Sequence, residues 1–306
     1  FKEYRDAMAW ALSAQGFPSS ALEEPDYSLK PAGILVIGPH LYRRYGFHNV
    51  ESVIHGAIQT EHFPSNEAGA LRFGKHRYKR FKGYYKSYDF ILDWHRSTQA
   101  MLSTRYPNVF HLPHGSYAAI THAPPEERPE SYDLAFIGDA TGIDSRRERI
   151  LIELSAHYSI HPTFSGVWGQ KKAAVLHSSR INLNLHFDEA LTFESPRFFE
   201  CLSSGCFLIS EPVADPYPFL PGRDYVEACT HQLRRVIDYY LENEDERAQI
   251  ISMGQQTAQE HGIDVSARLV GHRFLVERGL RRDASYRRRN RLFHLFGWPR
   301  LKDPTR

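Results

Sequence analysis

The sequence predicts an α/β protein of two doubly wound domains that face a central cleft. Three observations lead there. Short apolar runs of strand type alternate with stretches of helical spacing along most of the 306 residues, the pattern of parallel sheets wrapped by helices. Two of those runs, GILVIG (Gly33 to Gly38) and DLAFIG (Asp133 to Gly138), stop at a glycine. A stretch rich in proline and charge, Thr121 to Glu130, divides the series in two. The boundaries read from this are 1–125, 126–270, and a C-terminal helix with a basic–aromatic tail at 271–306, expected to pack back on the first domain.

The first domain opens with an amphipathic helix over residues 1–16, whose apolar side holds Ala7, Met8, Trp10, Ala11 and Leu12. A proline-bearing loop follows to residue 32. Gly33 to Gly38 is a buried strand whose end presents His40. Ser52 to Pro64 holds a second strand that ends in Thr60, Glu61 and His62. Tyr88 to Trp94 is a third, followed by a helix through Leu102. Asn108 to Gly115 is a fourth, ending in Pro113, His114 and Gly115. The ends of parallel strands open on the ligand cleft. Glu61, His40 and His114 are therefore the candidate catalytic bases, with Glu61 first.

The second domain begins at Asp133. Its glycine turn, Gly138 with Asp139, lets backbone approach a ligand closely. Arg146 to His157 is helical, with Ile150, Leu151 and Leu154 on one face. Gly166 lies in the next loop, Lys171 to Ser178 is a helix, and Ile181 to Leu185 (INLNL) a strand. Ser195 to Gly205 is then a short helix with both ends marked: Ser195 as N-cap, Pro196 in the first turn, Gly205 as the left-handed C-terminal residue. Cys206 to Ser210 (CFLIS) is the strand that follows. Helices are expected at Thr230 to Glu242, Asp245 to His261 and Ser266 to Gly279.

That strand–helix–strand unit carries the chemistry. A helix N-terminus beyond a parallel strand end offers free N–H groups and partial positive charge to a phosphate or diphosphate. Arg197, in the first turn, adds a forked donor. Glu200, one turn deeper, can reach a pair of sugar hydroxyls on the same ligand. Asn184 and His186, at or just beyond a strand end, are placed to read a sugar. Together these describe a nucleotide-sugar pocket. The plainer reading of Arg197 and Glu200 is an i,i+3 pair on a solvated helix face.

The segments DLAFIG (Asp133 to Gly138), Gly166, SSRINLNLH (Ser178 to His186) and SPRFFECLSSGCFLISE (Ser195 to Glu211) resemble the GT-B glycosyltransferases, and within them the CgeB-like, spore-maturation type branch of family-1-like transferases. The resemblance covers residues 130 to 226 well and 30 to 120 loosely. It implies two Rossmann-like domains, an acceptor side and then a donor side. It implies that Glu200 holds the donor ribose and that Arg197 belongs to the same pocket. Many retaining GT-B enzymes carry two glutamates with seven residues between them. Here the residue eight before Glu200 is Thr192, and the nearest upstream acid is Glu194.

The expected reaction is transfer of a sugar from a nucleotide-diphosphate sugar to a glycan, protein or small-molecule acceptor. The donor site is expected from Gly138, Asp139, Gly166, Asn184, His186, Ser195, Arg197 and Glu200, with no metal and no cofactor besides the donor itself. Arginine and helix N–H groups can stabilise the departing diphosphate without a metal. Neither Asp-x-Asp nor HExxH nor a Walker loop occurs, and the close histidine pairs among the 17 histidines have no cysteine beside them.

Composition narrows the rest. Hydrophobic residues make 42% and charged residues 24% of the chain, ordinary for a globular protein, and the formal net charge is +2. Three cysteines without a CxxC pair point to a reducing, cytoplasmic compartment. The chain starts at Phe1, which leaves a processed N-terminus open. Arg72 to Lys86 interleaves basic and aromatic residues, yet the near-balanced charge argues against a nucleic-acid partner. The tail from Ala284 to Lys302 combines an arginine cluster with Leu292, Phe293, Leu295, Phe296 and Trp298. It suits packing on the first domain or a peripheral contact with an anionic membrane. The competing class of function is a binding or scaffold module on a degenerate GT-B fold.

Overall fold

A computed structural model describes residues 2–24, 26–39, 53–60, 88–104, 106–121, 131–138, 140, 146–162, 166–186, 191 and 193–295. They form two four-stranded sheets, each wholly parallel. The first has β1 (Gly33–Ile37), β2 (Ile54–Gln59), β3 (Phe90–Asp93) and β4 (Val109–His111), side by side in chain order. The second has β5 (Tyr132–Phe136), β6 (Ser179–Asn184), β7 (Leu208–Ser210) and β8 (Val226–Glu227), again in chain order.

The helices are α1 (Lys2–Ala14), α2 (Arg96–Ser103), α3 (Arg146–Ser155), α4 (Gly169–His177), α5 (Ser195–Ser203), α6 (Leu233–Glu242), α7 (Glu244–Glu260) and α8 (Ile263–Leu295). Both sheets are apolar on both faces, as parallel strands covered by helices must be. Alternation along β1 and β2 shows it. Ile37, Ile54 and Ile58 pack with α1 and α8, while Val36 and Ala57 pack with Leu102 of α2. In the second sheet Ile181, Leu183 and Ile209 face α3, α6 and α7, while Leu208 faces Leu176 of α4 and Phe198, Phe199 and Leu202 of α5.

One detail of the second sheet sets the site. After β5 and α3 the chain forms an isolated parallel bridge, Leu134 with Ile160, before α4 carries it to β6 on β5's other partner edge. The strand order therefore reverses at β5, and ligands of open α/β sheets bind beyond the strand ends at such a point.

The chain crosses between the domains along two adjacent segments. Segment 112–121 leaves the first domain beside segment 261–263, which returns to it. Ser116 and Gly262 form a parallel bridge, the Ile263 N–H donates to the Ser116 carbonyl at 2.8 Å, and the Ser266 hydroxyl donates to that of Pro113 at 2.7 Å. Gly115 has φ +81°, and a Cβ there would lie 3.0 Å from the Ile263 Cα. Ile263, Ala267, Val270 and Phe274 join the first domain's core. This core assigns 263–270 to the first domain, not to the 126–270 unit read from the sequence. No helix among the described residues is long and apolar enough to cross a membrane.

Candidate functional site

The central helix α5 starts one residue off its expected position. Glu194 is its N-cap, without a side-chain capping bond, and Ser195 is the first helical residue, buried at 1% exposure. A turn bond from the Ser195 N–H to the Phe193 carbonyl sets that start. The far end agrees with the sequence. Gly205 has φ +68°, its N–H reaches the Leu202 carbonyl, and the Cys206 N–H reaches that of Cys201, a Schellman closure.

Arg197 leans from the first turn of α5 across the ends of β5 and β6. It donates to Asn184 Oδ1, and its guanidinium lies 5.7 Å from the centre of the Phe136 ring. Asn184 is wholly buried and donates in turn to Ser210 Oγ at 2.8 Å. Gly138 leaves the room this requires, since a Cβ there would sit 3.1 Å from Arg197 Nη2 and 2.7 Å from Phe136 Cζ. Arg147, in the first turn of α3, sits on the same Phe136 ring at 5.5 Å and donates to the Leu185 carbonyl. Two helix N-termini and two guanidiniums thus converge where the strand order reverses, an arrangement suited to an anion.

Beneath them Glu211 is a hub that sequence reasoning missed. Its two oxygens accept from Arg146 at 2.8 and 2.5 Å, from the Thr230 hydroxyl at 2.7 Å and from the His186 N–H at 2.7 Å. Burial opposes its ionisation, but these bonds outweigh burial and hold its pKa below the usual carboxylate value. The His186 ring is bonded to the Pro212 carbonyl at 2.8 Å. His186 thus shapes the strand end.

Glu200 faces another way. It pairs with Lys172 of α4, whose ammonium lies 5.8 Å from the centre of the Trp168 ring. Trp168 is 72% exposed, and with Gly169, Ala119, Ile120 and Glu3 these side chains line a narrow groove. Lys172 and Trp168 are further residues missed in the sequence, where no pattern ties Lys172 to Glu200. Gly166 has φ +76° with open space around its Cα, a turn two residues before Trp168.

Of the residues expected at the cleft, His40 and Glu61 of the first domain lie outside the described residues, as does Asp139 of the second. His114 requires a correction. It is 3% exposed, enclosed by Tyr4, Trp94, Tyr117 and Phe199 with ring centres 4.6 to 5.8 Å away, and bonded through Nδ1 to the Gly115 carbonyl. Burial pushes its pKa down to about 3. The chain turns inward after β4, so His114 is a core residue and not a base at the cleft.

The polar side chains at the first sheet's strand ends are others. Gln59, Asp93 and His111 are in-register neighbours on β2, β3 and β4. Asp93 is wholly buried. Its Oδ1 accepts the His95 N–H at 2.8 Å, while its Oδ2 and the buried hydroxyls of Thr60 and Thr98 have no partner among the described residues. Burial raises the Asp93 pKa well above normal, and burial with Arg96 and His95 lowers that of His111 to about 4. The second domain meets this edge through Tyr217, which lies under the Arg96 guanidinium at 4.8 Å, and through Asp215, 3.3 Å from Arg96 Nε. Asp93 was legible as a polar residue ending an apolar strand, the same sign that singled out Glu61. Among the described residues no group of three acidic, histidine or cysteine side chains is arranged to hold a metal ion.

Residues 146–269 match the family model described as Glycosyl transferase-like. No curated protein matches the sequence. Among solved structures, TarM aligns at TM-score 0.57 and 12% identity over 79% of this chain and 54% of TarM. This chain thus spans about half of TarM's length. A structure of the S. aureus protein holds fondaparinux, α-GlcNAc-glycerol and UDP. Anabaena HepE, in complex with UDP and glucose, aligns at 0.55 and 9% identity over 72% of this chain and 71% of its own. The sucrose-phosphate synthase of Thermosynechococcus elongatus aligns at 0.54 and 11% over 89% and 78%. At these identities the likeness establishes the fold, the two Rossmann-like domains of GT-B proteins.

Proposed function

We propose that this chain transfers a glycosyl group from a uridine-diphosphate sugar to an acceptor hydroxyl, without a metal. The observation that carries the proposal is the convergence of Arg197, Arg147, Gly138 and the N-termini of α3 and α5 at the switch point of the second sheet. The match of residues 146–269 and the UDP held by HepE and TarM support it. The SPRFFECLSSGC segment supports placement in the CgeB-like branch.

In this reading Arg197 and the helix N–H groups take the diphosphate, with Asn184 holding Arg197 in place. Glu200 exchanges its Lys172 contact for the ribose hydroxyls, and exposed Trp168 offers a ring face to the base. As the acceptor oxygen bonds to the anomeric carbon, the bond from that carbon to the β-phosphate oxygen breaks. Negative charge then builds on the leaving diphosphate, where fixed cations stabilise it without reorganising. The acceptor proton goes to a carboxylate of the first domain, Glu61 or Asp93. The buried, free cysteines Cys201 and Cys206 fit a reducing, cytoplasmic setting.

The test is binding of UDP, GDP, CDP, dTDP and ADP to the full chain, with Arg197→Met and Glu200→Ala beside it. UDP alone should stabilise the wild type, and both variants should lose most of that response. No response to any nucleotide overturns the reading. Binding without transfer or donor hydrolysis reduces it to a sugar-nucleotide binding module.

A further inference from the structure

A second polar cavity opens at the opposite edge of the donor sheet, below the amino ends of β6 and β7. Its volume is about 100 Å³, and its polar lining is His177, Ser179, Arg180, Cys206, Glu244 and Arg247. Donors outnumber acceptors there. Ser179 is 7% exposed, and its hydroxyl has no hydrogen-bond partner among the described residues. A buried hydroxyl left unpaired is costly enough to need an explanation.

One of the cations also lacks an ion-pair partner among the described residues. Arg180 is matched by Asp133. Glu244 sits in the first turn of α7, where the helix N-terminus offsets its charge. Arg247 is 5% exposed, and among the described residues its Nη1 donates to the carbonyls of Tyr240 and Leu241 in the last turn of α6. No described carboxylate forms an ion pair with it. A buried guanidinium normally finds an anion. Here the unmatched cation and the unpaired hydroxyl line the same small cavity.

We infer that this cavity binds a small oxyanion of inorganic-phosphate size, held by Arg247, Ser179 and the outer face of Arg180. The volume admits a handful of heavy atoms and excludes a nucleotide. The cavity is separated from the diphosphate region by the length of β6, so the two sites should load independently.

The experiment is a thermal-shift and 31P line-width titration of the full chain with inorganic phosphate, against chloride at matched ionic strength, with acetate as a separate arm. Ser179→Ala removes only the hydroxyl and should weaken phosphate binding about tenfold, the scale of one hydrogen bond to a charged group. Ser179→Val fills the cavity, and Arg247→Gln removes the charge. Both should abolish the response while the UDP response persists. Arg197→Met should retain the phosphate response. A larger response to acetate keeps the oxyanion and names it a carboxylate. The inference is overturned if phosphate acts no differently from chloride, if Ser179→Val and Arg247→Gln bind as the wild type does, or if Arg197→Met abolishes binding. The last result would assign the phosphate to the donor site.

Discussion

Gly138→Ala tests the anion site through a residue that makes no bond to the ligand by side chain. The added carbon would lie 2.7 Å from Phe136 Cζ, inside any real contact, and 3.1 Å from Arg197 Nη2. Phe136 is buried in the second domain's core and cannot retreat freely. The Phe136 ring must still shift to clear the 2.7 Å contact, and Arg197, whose guanidinium rests on that ring and itself has to give by a few tenths of an ångström, is displaced with it. Overpacking of this kind costs about 1–3 kcal/mol of stability. Loss of a charge-assisted bond to the diphosphate costs about 1.5–3 kcal/mol more in binding, roughly 10- to 150-fold in affinity at 1.4 kcal/mol per decade. Isothermal titration with UDP, and with uridine as the control that lacks phosphate, reads the effect. UDP affinity should fall by that factor while uridine affinity stays within about twofold, a margin small beside the charged-bond loss. Wild-type UDP affinity in a folded Gly138→Ala protein would refute the placement of Arg197 at the diphosphate. An equal loss for uridine would move the effect from the anion to the fold.

Glu200→Gln should weaken UDP about tenfold but leave 2′,3′-dideoxy-UDP nearly unaffected, because the carboxylate is assigned to the ribose hydroxyls; competition titration of the two nucleotides checks it. Glu211→Gln breaks a buried, four-bonded carboxylate and should destabilise the second domain by about 3–5 kcal/mol, read by urea unfolding. The folded pKa of Glu211 is lowered from 4.5, so its contribution is full above that value and is lost as pH falls through the folded pKa. The variant should accordingly show a flatter acid limb in stability below about pH 4.5. Asp93 has the opposite sign. Its folded pKa lies well above 3.8, so the ionised form is penalised as pH rises from 3.8 toward the folded value. Asp93→Asn, which keeps the acceptor for the His95 N–H, should be at least as stable as the wild type at pH 7 in a melting experiment. If Asp93 accepts the acceptor's proton, the same variant should lose about 10²- to 10⁴-fold in transfer with UDP affinity intact; if Glu61 does, Glu61→Gln should show that loss instead.

Much of the donor half was legible because its decisive relations are local. Pro196 and Arg197 fall within one helix and Gly205 just past its end, so local geometry fixes where each lies. The Schellman end followed from Gly205 alone, whereas the start slipped by one residue because a backbone turn at Phe193, with no side-chain signature, set it. The hidden parts are long-range. Lys172 meets Glu200 across 28 positions and Arg146 meets Glu211 across 65, and charge type says nothing about which of many partners is chosen. His114 misled because the strand before it ends at His111. The next three residues turn the chain inward, so a reading that extends strand direction to His114 sends the ring to the wrong side.

The same contrast explains why the acceptor half is read last. In the first sheet the candidate groups come from three separate strands, and only register brings Gln59, Asp93 and His111 into one row. A polar residue at the end of an apolar strand is ambiguous by itself: many only hold the turn that follows, as Asp93 Oδ1 does by accepting the His95 N–H. What distinguishes Asp93 is its second oxygen, buried and without a partner among the described residues, as are the hydroxyls of Thr60 and Thr98. That turn bond needs one acceptor atom, and the second oxygen is buried without a described partner, a state that calls for an explanation. Asp93→Asn separates a turn role from the proposed base role because it leaves the turn bond intact and removes only the ionisable site.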